Sequence, residues 1–301
     1  MIDMSVNKKK RKKFTAYSAF KIFNVLFMLF IIFITAYPVY YIVIASFSDP
    51  VSLSKHIGML WAPIKPFTSA AYEMVFATPD VVRGFFNTLF ILVAGLAVNL
   101  TLTALGAFFL TIKGPKLRNA IAMMIVFSMY FGGGMIPAYL NIKELGLLDT
   151  HWALILPTAI STSNLIIMKS AFQSIPEALI ESARIDGAKY WQVLLKIMIP
   201  LSKATMAVMV LYYGVAHWNS WFSASIYLRD SSKYPLQLVV RNILKQANDI
   251  AAGSVSADTA TYFGSVMKYA LIVVTTTPIL VLYPFLQKYF VKGVMIGSVK
   301  G

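Results

Sequence analysis

Six stretches of this chain, at about 20–47, 86–112, 119–137, 152–172, 201–223 and 268–290, are each apolar over roughly the 20 residues a helix needs to cross a bilayer. Lipid offers no hydrogen-bond partners, so segments of this kind must satisfy their own backbone, and a helix does that. The expected fold class is therefore an all-α integral membrane protein with six transmembrane helices. Of the 301 residues 58% are hydrophobic and only 13% are charged, which is outside the range of soluble domains. No cysteine is present, which excludes a disulfide framework, a thiolate metal site and a cysteine nucleophile. The three histidines, His56, His151 and His217, are too far apart for a short-spaced metal motif, so no metal cofactor is expected.

Lysine and arginine set the orientation. With the N-terminus in the cytoplasm, the inner segments (1–21, 113–118, 169–203 and 288–301) carry 18 basic and 4 acidic residues. The outer segments (48–85, 138–151 and 224–268) carry 9 and 8. Nearly all of the net +15 then lies on one face, with both termini in the cytoplasm. The run "KKKRKK" precedes an apolar stretch far longer than a signal-peptide h-region, and no small-residue cleavage site follows it. Residues 1–19 therefore read as a basic cytoplasmic N-terminus that orients a retained first span, 20–290 as the membrane domain, and 291–301 as a cytoplasmic tail. Nucleic-acid binding is not expected of so short a basic run beside a span.

Between the fourth and fifth spans lies "SIPEALIESARIDGAKYWQVLLKIMIP", residues 174–200, a charged segment in an apolar chain. Ser174 and Glu177 are spaced as a capping box with Pro176 in the first turn, which predicts a helix starting there. Glu177, Glu181 and Arg184 fall on one face and Ile175, Leu179 and Ala183 on another. Gly187 suits a left-handed terminating residue, after which a second helix runs to Pro200. A short amphipathic helix of this kind also suits the plane of the membrane interface.

The spacing Glu181, Ala183, Gly187, Ile197, Pro200 resembles the EAA motif of the permease subunits of ATP-binding-cassette (ABC) importers, with Ser182 and Ile199 as mild departures. The stretches "LGLLDTHWALILP", "HWNSWFSASIYLRD" and "YFVKGVMIGSVKG" extend the resemblance to the carbohydrate-import, MalG-like branch. Within that branch "FGGGMIP" and "YPLQLVVRNIL" look most like permeases for complex oligosaccharides, including alginate-type and lipoprotein-associated importers. The resemblance implies the type I importer permease fold, with 174–188 as a coupling helix that enters a cleft on the ATPase. Glu181 would pair there with a basic residue of the ATPase and Gly187 would allow the tight turn, with Glu177, Arg184 and Asp186 in the same coupling site, while helical spacing makes Leu179 and Ala183 its apolar contacts. It implies as partners a second homologous permease, two ATPase subunits and an extracellular or periplasmic sugar-binding protein. It also implies residence in a bacterial cytoplasmic membrane. A permease of the same family for another solute, such as glycerol phosphate, remains open on these residues, as does an ion-coupled secondary transporter.

The chain has no phosphate loop, since "FGGGMIP" lacks the lysine and the hydroxyl residue that would follow, so ATP and magnesium belong to the partner subunits. No G-x-S-x-G elbow or H-E-x-x-H pair marks a membrane enzyme. His217, Trp218, Asn219 and Trp221 cluster at the end of the fifth span, and Asn99 lies within the second. They read either as interfacial anchors and packing groups or as a sugar pathway in which rings stack and amides bond hydroxyls. Gly132–Gly134 suit either close backbone approach or a hinge. A short helix is expected after Pro235.

Overall fold

The computed structural model describes residues 16–114, 116–249, 266–282 and 284, and among these every regular element is helical. Residues 1–15 of the expected basic N-terminus and the whole C-terminal tail lie outside the described residues, while 16–19 open the first helix. Helix α1 is Ala16–Ser46, followed by the short helices α2, Pro50–Lys55, and α3, Ala70–Ala77. Helix α4, Pro79–Thr111, is the axis of the bundle. Its buried positions, Val81, Gly84, Thr88, Ile91, Gly95, Asn99, Thr103 and Ala107, recur every three or four residues and make one continuous stripe. Small and polar groups make up most of that stripe. In lipid apolar burial gives little drive for helices to associate, so close approach and interhelical hydrogen bonds carry the packing.

Three buried clusters are strung along α4. Beside its first turns, Val81 meets α14, Leu236–Asp249, and α15, Val266–Leu282, through Leu236, Val239, Val266 and Leu271. At mid-length, Ile91 meets α6, Met135–Glu144, α7, Trp152–Ile155, and α13, Trp221–Tyr227. At its last turns, Ala107 and Phe108 meet α8, Thr162–Gln173, and α12, Lys203–Trp218, through Met168, Phe172 and Met209.

By length and composition, two helices are long and apolar enough to span a membrane, Ala19–Ser46 and Pro79–Thr111, and five if each of three bent pairs counts as one span. Three of the expected spans are bent. The stretch expected at 119–137 is helical only over α5, Arg118–Tyr130, before the chain turns 118° into α6 at Gly132–Gly134. The 152–172 stretch turns by 51° after Pro157, where a short 3-10 turn leads to an N-cap at Ser161. The fifth stretch is longer and more broken than expected. The segment 190–201 (α10, Tyr190–Val193, a π-turn and α11, Ile199–Leu201) runs through Pro200 and meets α12 at 84°. The π-turn at Leu194–Met198 ends two residues before Pro200, whose missing N–H interrupts the ladder there. Asn219 and Ser220 then separate α12 from α13. Of the sixth stretch, the residues beyond 284 lie outside the description. The helix expected after Pro235 is α14.

Candidate functional site

The segment 174–200 folds at the end of the bundle where α4 and α8 finish. Helix α9 is Glu177–Ile185, with Pro176 in the N-cap position. The capping box does not form. Ser174 instead closes α8, its hydroxyl donating to the carbonyl of Ala171 at 2.7 Å. Glu177 reaches out of its helix to accept from Lys113 Nζ at 2.6 Å, just beyond α4. The predicted terminator is present: Gly187 has φ +83°, its N–H donates to Arg184 and the Ala188 N–H to Ala183, a paired ending that stops α9 cleanly. The next turn starts with the Gln192 side chain accepting from the Lys189 N–H at 2.7 Å. A nine-residue helix is thus held at both ends by the bundle.

Its faces divide by burial. Ile175, Ile180 and Ala183 lean on the Phe172–Val193–Met198 cluster of the same chain. Ala183 therefore packs inward, whereas Leu179 is 47% exposed and Ile185 86% exposed. Ile185 was not singled out in the sequence, because it lies off the periodic stripe that Ile175, Leu179 and Ala183 suggest. Glu181, Arg184 and Asp186 are also exposed, and Arg184 rests on the Tyr190 ring at 5.0 Å. Behind the helix lies a cavity of about 470 Å³ lined in part by Phe108, Lys113, Arg118, Glu181, Arg184 and Tyr190. An exposed helix with apolar groups flanked by carboxylates, anchored to two long helices, is suited to engage a cleft and move as a unit.

The pathway candidates fall into two groups. Asn99 and His217 are buried and joined, His217 Nε2 to Asn99 Oδ1 at 2.7 Å. The Asn99 amide nitrogen donates to the carbonyls of Thr158 and Ala159 at 2.6 and 3.0 Å. These carbonyls lie at the break between α7 and α8, where helical partners are lost. Tyr213 completes the repair, its hydroxyl accepting from the Ser161 N–H at 2.9 Å and pairing with Thr103 Oγ1 at 2.8 Å. Gly95 belongs to the same bracket, since a Cβ there would collide with the His217 ring. Trp218 is buried against Phe85 and donates to the Thr275 carbonyl at 3.2 Å.

Asn219 and Trp221 are placed differently. Asn219 sits exposed at the end of α12, capping it through the Val215 carbonyl. With His217, Ser220, Phe222 and Ser223 it lines a cavity of about 190 Å³. Trp221 faces α14, where the Arg241 guanidinium lies 4.1 Å above its ring.

Asp149, which sequence reasoning missed, knots the end opposite α9. It has φ +58°, its Oδ1 accepts from the N–H groups of Arg229 and Asp230 at 3.0 Å, and its Oδ2 meets Lys233 Nζ at 2.6 Å. The Lys233 hydrogen bond foremost, then the two N–H groups, hold its carboxyl well below the usual range. Lys233 is correspondingly raised by Asp149. His151 joins the knot by bonding the Lys233 carbonyl at 2.9 Å. The signal was a lone Asp in a Gly-Leu-Leu-Asp loop, whose partners lie 80 residues on. Among the described residues no group of three or more His, Asp or Glu side chains suits a metal ion.

No protein-family model matches the chain. It is 45% identical over 267 residues to Protein LplC of Bacillus subtilis, covering 89% of this chain and 90% of that one. It is 39% identical to the polygalacturonan/rhamnogalacturonan transport system permease protein YtcP of the same organism, covering 88% of this chain and 92% of the relative. Among solved structures, a chain of a bacterial ABC transporter involved in import of the acidic polysaccharide alginate superposes with a TM-score of 0.82, at 31% identity, over 90% of this chain and 96% of that chain.

Proposed function

The chain belongs to the permease family of sugar-importing ABC transporters, and from that we propose that it is a transmembrane subunit coupling ATP hydrolysis on partner subunits to alternating access for oligosaccharides. The observation that carries the reading is α9, an exposed helix with a defined end at Gly187 and an anchor at Lys113. In this reading Glu181 and Asp186 meet basic groups of an ATPase, Leu179 and Ile185 fill its cleft, and closure of the ATPase pair is relayed through α8 and the segment 190–201. ATP and magnesium are bound by those partners.

Six transmembrane helices in a bacterial cytoplasmic membrane, with both termini and α9 in the cytoplasm, accord with the charge partition. The Asp149 knot then lies outside. It makes the loops 145–151 and 228–234 a firm platform for a sugar-binding protein. The substrate class is acidic: fragments rich in uronate units suit a chain whose relatives are named for polygalacturonan and alginate transport.

The test is affinity purification of the tagged chain from native membranes in mild detergent, followed by ATPase assays with substrate-loaded binding protein. Recovery of an ATPase and a second permease is expected, together with stimulated hydrolysis that Glu181→Lys reduces at least tenfold while the chain stays inserted. Undiminished stimulation in Glu181→Lys would remove α9 from the coupling role. A solitary species, under conditions that preserve a known importer, would overturn the reading.

A further inference from the structure

Resting on that reading, we propose that the elbow between α5 and α6, Tyr130 to Ile136, is the surface on which this chain meets the second permease subunit inside the membrane. Helix α5 starts beside the α9 end, where Arg118 donates to the Ile112 carbonyl at 3.0 Å. Its 13 residues rise only about 20 Å, against a hydrocarbon core of about 30 Å. The chain therefore leaves the helix while still at membrane depth. Residues 131–134 have no regular structure, Gly134 has φ +83°, and the next helix departs at 118°. The N–H groups of Gly132, Gly133 and Gly134 find no acceptor among the described residues.

Irregular backbone at that depth is tolerated only where protein or water covers it. The chain's own described residues do not supply the cover. Tyr130 is 76% exposed, Phe131 67% and Ile136 69%, and a Cβ at Gly132 or Gly134 would meet no atom within 4 Å. Close packing within this subunit is thus not what the glycines serve. Helix α1 is just as exposed but unbroken, so its backbone asks for no cover.

The surroundings fit a protein partner. Met123, Met124, Phe127 and Met135 are exposed around the elbow, and Phe127 stacks on Phe131 at 4.2 Å. Thioether and aromatic side chains adapt to an apolar counterpart. Three glycines without side chains let a helix approach near enough for its hydroxyl or carbonyl groups to accept from the free N–H groups. A soluble ATPase or an extracellular binding protein does not reach this depth; a second membrane-embedded permease does.

Photoreactive benzoylphenylalanine, placed at Phe131 in one variant and at Ile185 in another, tests the assignment in intact cells of the native host, with adducts identified by mass spectrometry. Phe131 is expected to capture a second, homologous permease chain, and Ile185 an ATPase. Lipid adducts alone at Phe131, or adducts with another copy of this chain, overturn the elbow assignment, and an ATPase captured at Ile185 in the same experiment leaves the transporter reading standing. Capture of the second permease at Phe131 without an ATPase at Ile185 supports the elbow and counts against α9 as the ATPase contact.

Discussion

Single side chains in this protein do their work by mending what the helices leave open. Asn99 is the clearest case: one amide satisfies two carbonyls at the α7–α8 break and one imidazole nitrogen on α12. Asn99→Ala leaves all three unpaired in a buried site, at about 1–3 kcal/mol for each unsatisfied group. The melting temperature in detergent is expected to fall by several degrees, and Gly95→Ala, which drives a methyl into the His217 ring, is expected to do the same. Asn219→Ala, at an exposed cap, should leave it nearly unchanged. An Asn99→Ala variant with unaltered melting but lost transport would move Asn99 from packing to the substrate path. Asp149 gives a prediction in pH. Its carboxyl is lowered on folding, so its contribution is fully present above the unfolded value of about 3.9 and is lost as pH falls below it. Asp149→Asn should therefore lower the melting temperature by a gap that is constant from pH 5 to 8 and closes in acid. A gap that changes across pH 5 to 8 would mean another group titrates in the knot.

At the scale of elements, the breaks matter more than the spans. The terminator at Gly187 was readable because a left-handed residue is a local demand that one amino acid meets best. The expected capping box was local too, yet it lost to tertiary contacts: Lys113, 64 positions earlier, takes Glu177, and α8 takes Ser174. Hydropathy located the apolar stretches but not their bends. The bends depend on Asn99, Tyr213 and Gly132–Gly134 finding or lacking partners, which no window along the chain can register. For the same reason the sequence left Asn99, Trp218 and His217 open between packing and a sugar path, since the distant partners that hold them are not local. The Gly187 terminator yields a graded prediction. Gly187→Ala meets no atom within 4 Å and pays only for its positive φ, about 1–2 kcal/mol, so coupled transport should fall a few-fold at most. Gly187→Pro cannot adopt φ +83° and loses the N–H that bonds Arg184. Transport should be abolished with membrane insertion intact. Equal activity of the two variants would show that the shape of this helix end does not matter for coupling.

For the whole molecule, the proposed orientation rests on the charge partition. The four segments that the charge count groups with α9 carry 18 basic residues against 4 acidic ones, and the anionic inner leaflet favours them on the cytoplasmic side. The opposite end, tied by Asp149 and Lys233, is close to neutral. Native absence of cysteine makes this orientation directly measurable, because any single cysteine introduced is the only thiol on the chain. Ser182 on α9 and Ser231 in the Asp149 knot are both exposed and serve as reporters. With a membrane-impermeant maleimide, Ser231→Cys is expected to label in intact cells or spheroplasts and Ser182→Cys only in inside-out vesicles. The reverse pattern would put α9 outside, beyond reach of any cytoplasmic ATPase, and would break the link between the charge partition and the proposed function. Labelling of both from one side would require an even number of crossings between them. The bent pairs leave that arithmetic open to experiment, since α10 through α13 cross once if the 84° joint lies within the membrane and the segment 190–201 counts with α12 as one span. The expected opposite-side result means an odd number of crossings between the two serines, which accords with one span built on α12 and with a relay that runs from α9 into the bundle.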